Sequence, residues 1–126
     1  MKKIIFTDKA PAPIGPYSQA VAFGNTLYTS GQIALHPQTG ELVTGDIETE
    51  TKQVMENMKA VLEAAGTTFE NVIKSTIFIS NMDDFAKINS IYGAYFNEKT
   101  APARETVQVA KLPKNVNVEI SMIVGL

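Results

Sequence analysis

The sequence contains no cysteine and a single histidine, His36. Without a thiol there is no disulfide, no thiolate nucleophile and no cysteine zinc site. One histidine beside Pro37 in a turn cannot by itself build a triad or a metal cluster, and it reads as a surface residue. A basic excess is also missing: eleven Lys and Arg face thirteen Asp and Glu, a net charge of -2. No broad positive field is therefore available to draw in nucleic acid. No apolar run is long enough to span a membrane. The opening Met1-Lys2-Lys3-Ile4-Ile5-Phe6 imitates a signal peptide only until Thr7-Asp8-Lys9, so a cytoplasmic protein is expected. Gly15, Gly24, Gly31, Gly40 and Gly45 are scattered and form no phosphate-cradling loop. No acidic cluster has calcium or two-metal spacing, so no metal site is expected. Carboxylates, hydroxyls, backbone groups and water remain as the means of any catalysis.

What is present fits one globular domain over residues 1–126, with 44% hydrophobic and 19% charged residues. A short strand is expected at Ile4 to Phe6, then a stiff arm from Ala10 to Tyr17. Pro11, Pro13 and Pro16 remove backbone donors and fix φ there, which presets the position of Tyr17. Ser18 to Phe23 and Leu27 to Gly31 read as strands joined by a tight hairpin at Gly24-Asn25. From Asp46 to Ala65 the apolar residues Ile47, Val54, Met55, Met58, Val61, Leu62 and Ala65 recur at helical steps. Asp46 or Thr44 can cap this helix and Gly66 can stop it. Its charged side, with Glu48, Glu50, Lys52, Glu56, Lys59 and Glu63, reads as a solvated face.

A strand from Val72 to Ser80 looks apolar enough to be buried on both sides. A second helix, Asp83 to Phe96, carries a core stripe of Phe85, Ile88, Ile91, Tyr92, Tyr95 and Phe96. Two last strands, Thr106 to Ala110 and Val116 to Val124, are expected to meet across Leu112-Pro113-Lys114. This order predicts an α+β domain, a mixed sheet with two helices packed on one face. The other face, carrying Val107 or Thr106 and Ile123, needs a partner chain to cover it.

Several residues are candidates for chemistry. Arg104, in an Ala-Pro-Ala-Arg turn leading into a strand, offers a rigid, permanently charged fork for a carboxylate. Fifteen residues on, Glu119 points away from Val116, Val118, Ile120 and Met122. On paired strands the two can be a binder and a proton carrier, or a structural ion pair, the commoner use of such a pair. Tyr17 follows the rigid arm, although a tyrosine after a turn usually packs its ring. Ser30 and Gly31 can offer a hydroxyl and a backbone N–H to an anion, or merely punctuate a turn. Asn89 interrupts the apolar side of the second helix, where a buried amide must be hydrogen-bonded.

Taken together, Ile14-Gly15-Pro16-Tyr17-Ser18-Gln19-Ala20, Thr29-Ser30-Gly31-Gln32-Ile33, Pro102-Ala103-Arg104, Val109 to Lys114 and Val118-Glu119-Ile120 resemble the RidA family of reactive intermediate deaminases, also called the YjgF family. The similarity runs end to end and includes Gly40-Glu41 and Asn57 to Gly66. It implies a chorismate-mutase-like fold assembling as a homotrimer, with clefts between neighbouring subunits. It also implies hydrolysis of enamines and imines such as 2-aminoacrylate to 2-keto acids and ammonia, with no metal or organic cofactor.

By the same resemblance, Arg104 holds a substrate carboxylate and Glu119 handles protons. Tyr17, Ser30, Gly31 and Asn89 line the pocket, and Thr106 contributes to binding. Many members carry a cysteine where Thr106 stands, so any thiol-dependent activity does not carry over, while a role through the backbone carbonyl does. The loop Asn97 to Thr100 is shorter than in some relatives. A rival reading is a non-catalytic regulator that binds keto acids or other metabolites in the same cleft. Nuclease activity, linked to some relatives, fits poorly with the acidic composition and with the absence of paired histidines or metal carboxylates.

Overall fold

The computed structural model describes residues 1–43 and 45–126. Six strands form one mixed sheet in the order β1 (Lys3–Ile5), β2 (Ala20–Phe23), β3 (Thr26–Thr29), β6 (Val118–Gly125), β4 (Val72–Ile79), β5 (Ala103–Gln108). Only β4 and β5 run parallel. The α+β expectation holds, with both helices on one face. The hairpin between β2 and β3 turns on Gly24 and Asn25, and Gly24 takes the left-handed φ of 62° that a two-residue turn demands.

Helix α1 (Ile47–Ala64) starts where Asp46 Oδ1 accepts the Thr49 N–H at 2.8 Å. Thr44, the other candidate cap, lies outside the described residues. The helix ends in a Schellman arrangement: the Gly66 N–H bonds Glu63 O and the Thr67 N–H bonds Leu62 O, with Gly66 at φ 79°. Val54, Met55, Met58, Val61 and Leu62 are all buried against Leu27, Ile77, Ile79, Ile120, Met122 and Val124 of the sheet. Each such side chain contributes roughly 2 kcal/mol on leaving water.

Five expectations need correction. The second helix, α2, covers Phe85–Gly93 only, preceded by a 3₁₀ turn at Met82–Asp84. Beyond it the chain tightens into i→i+3 bonds, Tyr95 to Tyr92 and Phe96 to Gly93, so the expected aromatic stripe persists without the α-helix. Strand β5 begins at Ala103, so Arg104 sits in the strand and not in a turn before it. Its neighbour is β4, not β6. Strand β4 is buried on its helix face alone, since Lys74, Thr76 and Phe78 on the other face stay half-exposed. Finally, Glu50 is not on the solvated face: it is only 6% exposed, and its carboxylate accepts the Asn117 N–H at 2.7 Å and the Asn117 side-chain amide at 2.8 Å. Glu50 lies three residues after Ile47 and four before Val54, on the apolar stripe, a spacing that pointed to burial.

The sheet face away from the helices is uncovered. Cross-strand register places Ile4, Val21, Tyr28 and Ile123 in one row on it, with Ser121 and Glu119 further along β6. Val107 also faces this side. Thr106 faces the helices beside buried Ile77, so of the two residues considered for this face only Val107 belongs to it.

Candidate functional site

Two clefts divide the predicted residues other than Thr106 between them. The first, of about 400 Å³, is lined by Tyr17, Ser30, Gly31 and Glu119 with Pro11 and Pro113 among its walls. The second, of about 360 Å³, is lined by Asn89, Tyr92, Phe96, Pro102 and Arg104.

The proline arm forms one wall of the first cleft, and a residue that sequence reasoning passed over holds it. Gln19, 2% exposed, accepts the Thr7 N–H at 2.8 Å and donates its amide to Thr7 O at 3.0 Å and Pro11 O at 2.9 Å. Three backbone groups of a donor-poor loop are thereby satisfied by one amide. Tyr17, at the arm's end, accepts the Ile14 N–H on its hydroxyl at 3.3 Å and keeps its ring half-exposed.

At the end of β3, the Ser30 hydroxyl donates to Ser18 O at 2.6 Å, so toward a ligand it can only accept. Gln32 and Ile120 exchange both backbone bonds, at 2.8 and 3.1 Å, which extends the ladder past β3 and sets Gly31 against β6. Buried Asn57 holds the next loop, donating to Ile33 O at 3.2 Å and Leu35 O at 2.9 Å. Glu119 lies half-buried against Gly31, facing Phe78 of β4. Burial, with no cation to offset it, raises its carboxyl above the ordinary glutamate range.

The second cleft is built from aromatics. The Arg104 guanidinium lies 5.2 Å from the Tyr92 ring centre and 5.6 Å from that of Phe85, and its Nη1 donates to Asn89 Oδ1 at 2.6 Å. Both stacking and hydrogen bond steer the fork while leaving other N–H groups free for a second partner. Tyr92 is itself fixed, its hydroxyl donating to buried Ser75 at 2.9 Å. Asn89 is half-buried, not buried as expected, and its partner is Arg104. Thr106 lines neither cleft, and its hydroxyl oxygen is buried without a partner.

Arg104 and Glu119 therefore do not meet within the chain, either as a working pair or as an ion pair. Arg104 aligns with Ser75 on the helix face, and Glu119 with Phe78 on the open face. They stand two strands apart, roughly 10 Å, and three residues apart along the strands, roughly another 10 Å. Among the described residues no cluster of His, Asp and Glu comes together as a metal ligand set. No helix among the described residues is long and apolar enough to cross a membrane.

A family model described as Endoribonuclease L-PSP matches residues 7–125. A RutC family protein of Pyrococcus horikoshii is 54% identical over 123 residues, 98% of this chain and 97% of the relative. A 2-iminobutanoate/2-iminopropanoate deaminase of Dermatophagoides farinae is also 54% identical over 123 residues, 98% and 95% of the two chains. Among solved structures, E. coli TdcF with bound serine superposes with a TM-score of 0.92 at 46% identity, covering 98% of each chain.

Proposed function

Because the chain belongs to the RidA (YjgF) family, we propose that it is a hydrolytic deaminase that turns reactive enamines and imines into 2-keto acids and ammonia. Its substrates on this reading are 2-aminoacrylate, 2-iminopropanoate and related 2-imino acids. The single observation that carries this is Glu119: a half-buried carboxyl, raised in pKa and without a counter-ion, on the wall of a cleft of small-molecule size. A carboxyl poised nearer neutrality can take a proton from water and return it to nitrogen.

The chemistry asks little of the protein. The enamine takes a proton at its β-carbon to become the protonated imine, an iminium whose carbon is already electrophilic. Glu119 as carboxylate accepts a proton from water while the water oxygen bonds to the imine carbon. The resulting carbinolamine receives that proton on nitrogen, the C–N bond breaks with its electron pair leaving on ammonia, and loss of the hydroxyl proton gives the ketone. Arg104 holds the substrate carboxylate, and Asn89 steers Arg104. Tyr17, Ser30 and Gly31 shape the water side, and Thr106 acts through its backbone carbonyl.

One chain holds the two groups on opposite sheet faces, so the site we propose is shared between chains. A homotrimer supplies it by setting Glu119 of one subunit opposite Arg104 of the next. The exposed apolar row of Ile4, Tyr28 and Ile123 on the open face supports such an assembly, since water-exposed apolar surface of this kind is normally covered.

The deciding experiment couples a serine or threonine dehydratase to this protein and follows keto acid release. Arg104→Ala is expected to abolish the acceleration, and an unchanged rate rejects the assignment. The serine carried by the TdcF relative favours a second reading, a regulator that binds small metabolites without turnover. On that reading the native protein accelerates nothing, and Glu119→Gln keeps full affinity for keto acids.

A further inference from the structure

Gly31 stands where a side chain has no room. A β-carbon built on it would lie 1.9 Å from Glu119 Oε2, 2.7 Å from Cδ and 2.8 Å from Cγ. The close approach of Oε2 alone could be relieved by turning the end of a flexible side chain. The approach of Cγ cannot, because clearing it requires a change at χ1 that swings the whole carboxyl out of the cleft. Nor can residue 31 retreat easily. The Ser30 N–H is bonded to Gln19 O at 2.9 Å, and Gln32 is locked to Ile120 by two bonds. No positive φ explains a glycine here, unlike Gly24 or Gly66, so what its absent side chain provides is space.

We propose that Gly31 is a positioning residue: its bare α-carbon is the seat that holds the Glu119 carboxyl in its half-buried place. Everything facing that carboxyl is consistent with such a seat. Among the described residues Tyr17 is the only other titratable group on the cleft wall, and Phe78 faces Glu119 from β4. No charged neighbour among the described residues holds the carboxyl in place, so shape must. The burial that raises its pKa follows from the seat. The catalytic consequence rests on the reading of Glu119 as proton carrier given above, whereas the seat itself does not.

The test is a cycle between Gly31→Ala and truncation of Glu119. Gly31→Ala is expected to lower Tm by about 5 °C in the native background, and by less than about half of that alongside Glu119→Ala, where the methyl has room. Should Gly31→Ala alone fail to fold, the Gly31→Ala/Glu119→Ala double variant still folds. A carbon-13 titration of the Glu119 carboxyl is expected to move from its raised position toward the ordinary glutamate range in Gly31→Ala. In turnover, Gly31→Ala costs about tenfold or more, chiefly in kcat, and adds nothing to the loss in Glu119→Gln. Additive stabilities together with an unmoved titration overturn the seat. If Glu119→Gln instead retains full activity, the deaminase mechanism fails, while the titration and the stability cycle still decide the seat.

Discussion

The two clefts hold their charged groups by opposite means. Glu119 is held by exclusion: it leans on the backbone of Gly31, has no ion partner, and owes its raised pKa to lost water. Arg104 is held by attraction, stacked beside Tyr92 and Phe85 and hydrogen-bonded to Asn89 while it stays exposed. The contrast suits the two proposed tasks. A proton carrier gains from desolvation, which moves its pKa toward neutrality, whereas a carboxylate grip needs a charge that is aimed and still reachable.

The sharpest way to break this comparison is to ask whether the halves belong to different subunits. Arg104→Ala and Glu119→Gln, each inactive alone, should recover about a quarter of native activity when refolded together in equal amounts. Random assembly leaves that share of interfaces with both native groups. No recovery would mean that one subunit supplies a complete site.

A smaller effect tests the grip. Asn89→Ala frees Arg104 from its steering bond, and KM should rise about tenfold with kcat little changed, as expected for an interaction made equally with bound substrate and transition state. A fall in kcat alone would contradict the division of labour. The smallest effect concerns stability. A folded-state pKa raised above that of the unfolded chain means that ionised Glu119 weakens the fold as pH rises through its pKa, and has no such effect below the unfolded value. Glu119→Gln should thus raise Tm at about pH 8 by about 2 °C, a modest figure because half the group still meets water, and the gain should vanish by about pH 4. Thermal scans at the two pH values check the sign.

Much of this was legible before any coordinates. The Asp46 cap, the Gly66 stop and the stripe from Ile47 to Ala65 locate α1, because a helix boundary is set by neighbours within one turn. Glu50 misled because charge was taken as a sign of exposure, although its spacing from Ile47 and Val54 placed it on the buried side. Gln19 gave no signal, since its partners at Thr7 and Pro11 lie in an irregular loop with no period to read. Arg104 and Glu119 were singled out by type, but their strands were wrongly paired, because strand order does not follow chain order when β4 inserts between β5 and β6.

The sequence by itself determined which groups are available for chemistry and where the local elements form, since residue type, alternation and capping act over a few neighbours. Tertiary structure alone decided that Arg104 and Glu119 face opposite sides of the sheet and that Gly31 lies against the carboxylate. Those outcomes depend on which distant strands pair and in what register, and a shift of one residue would have sent each side chain to the other face.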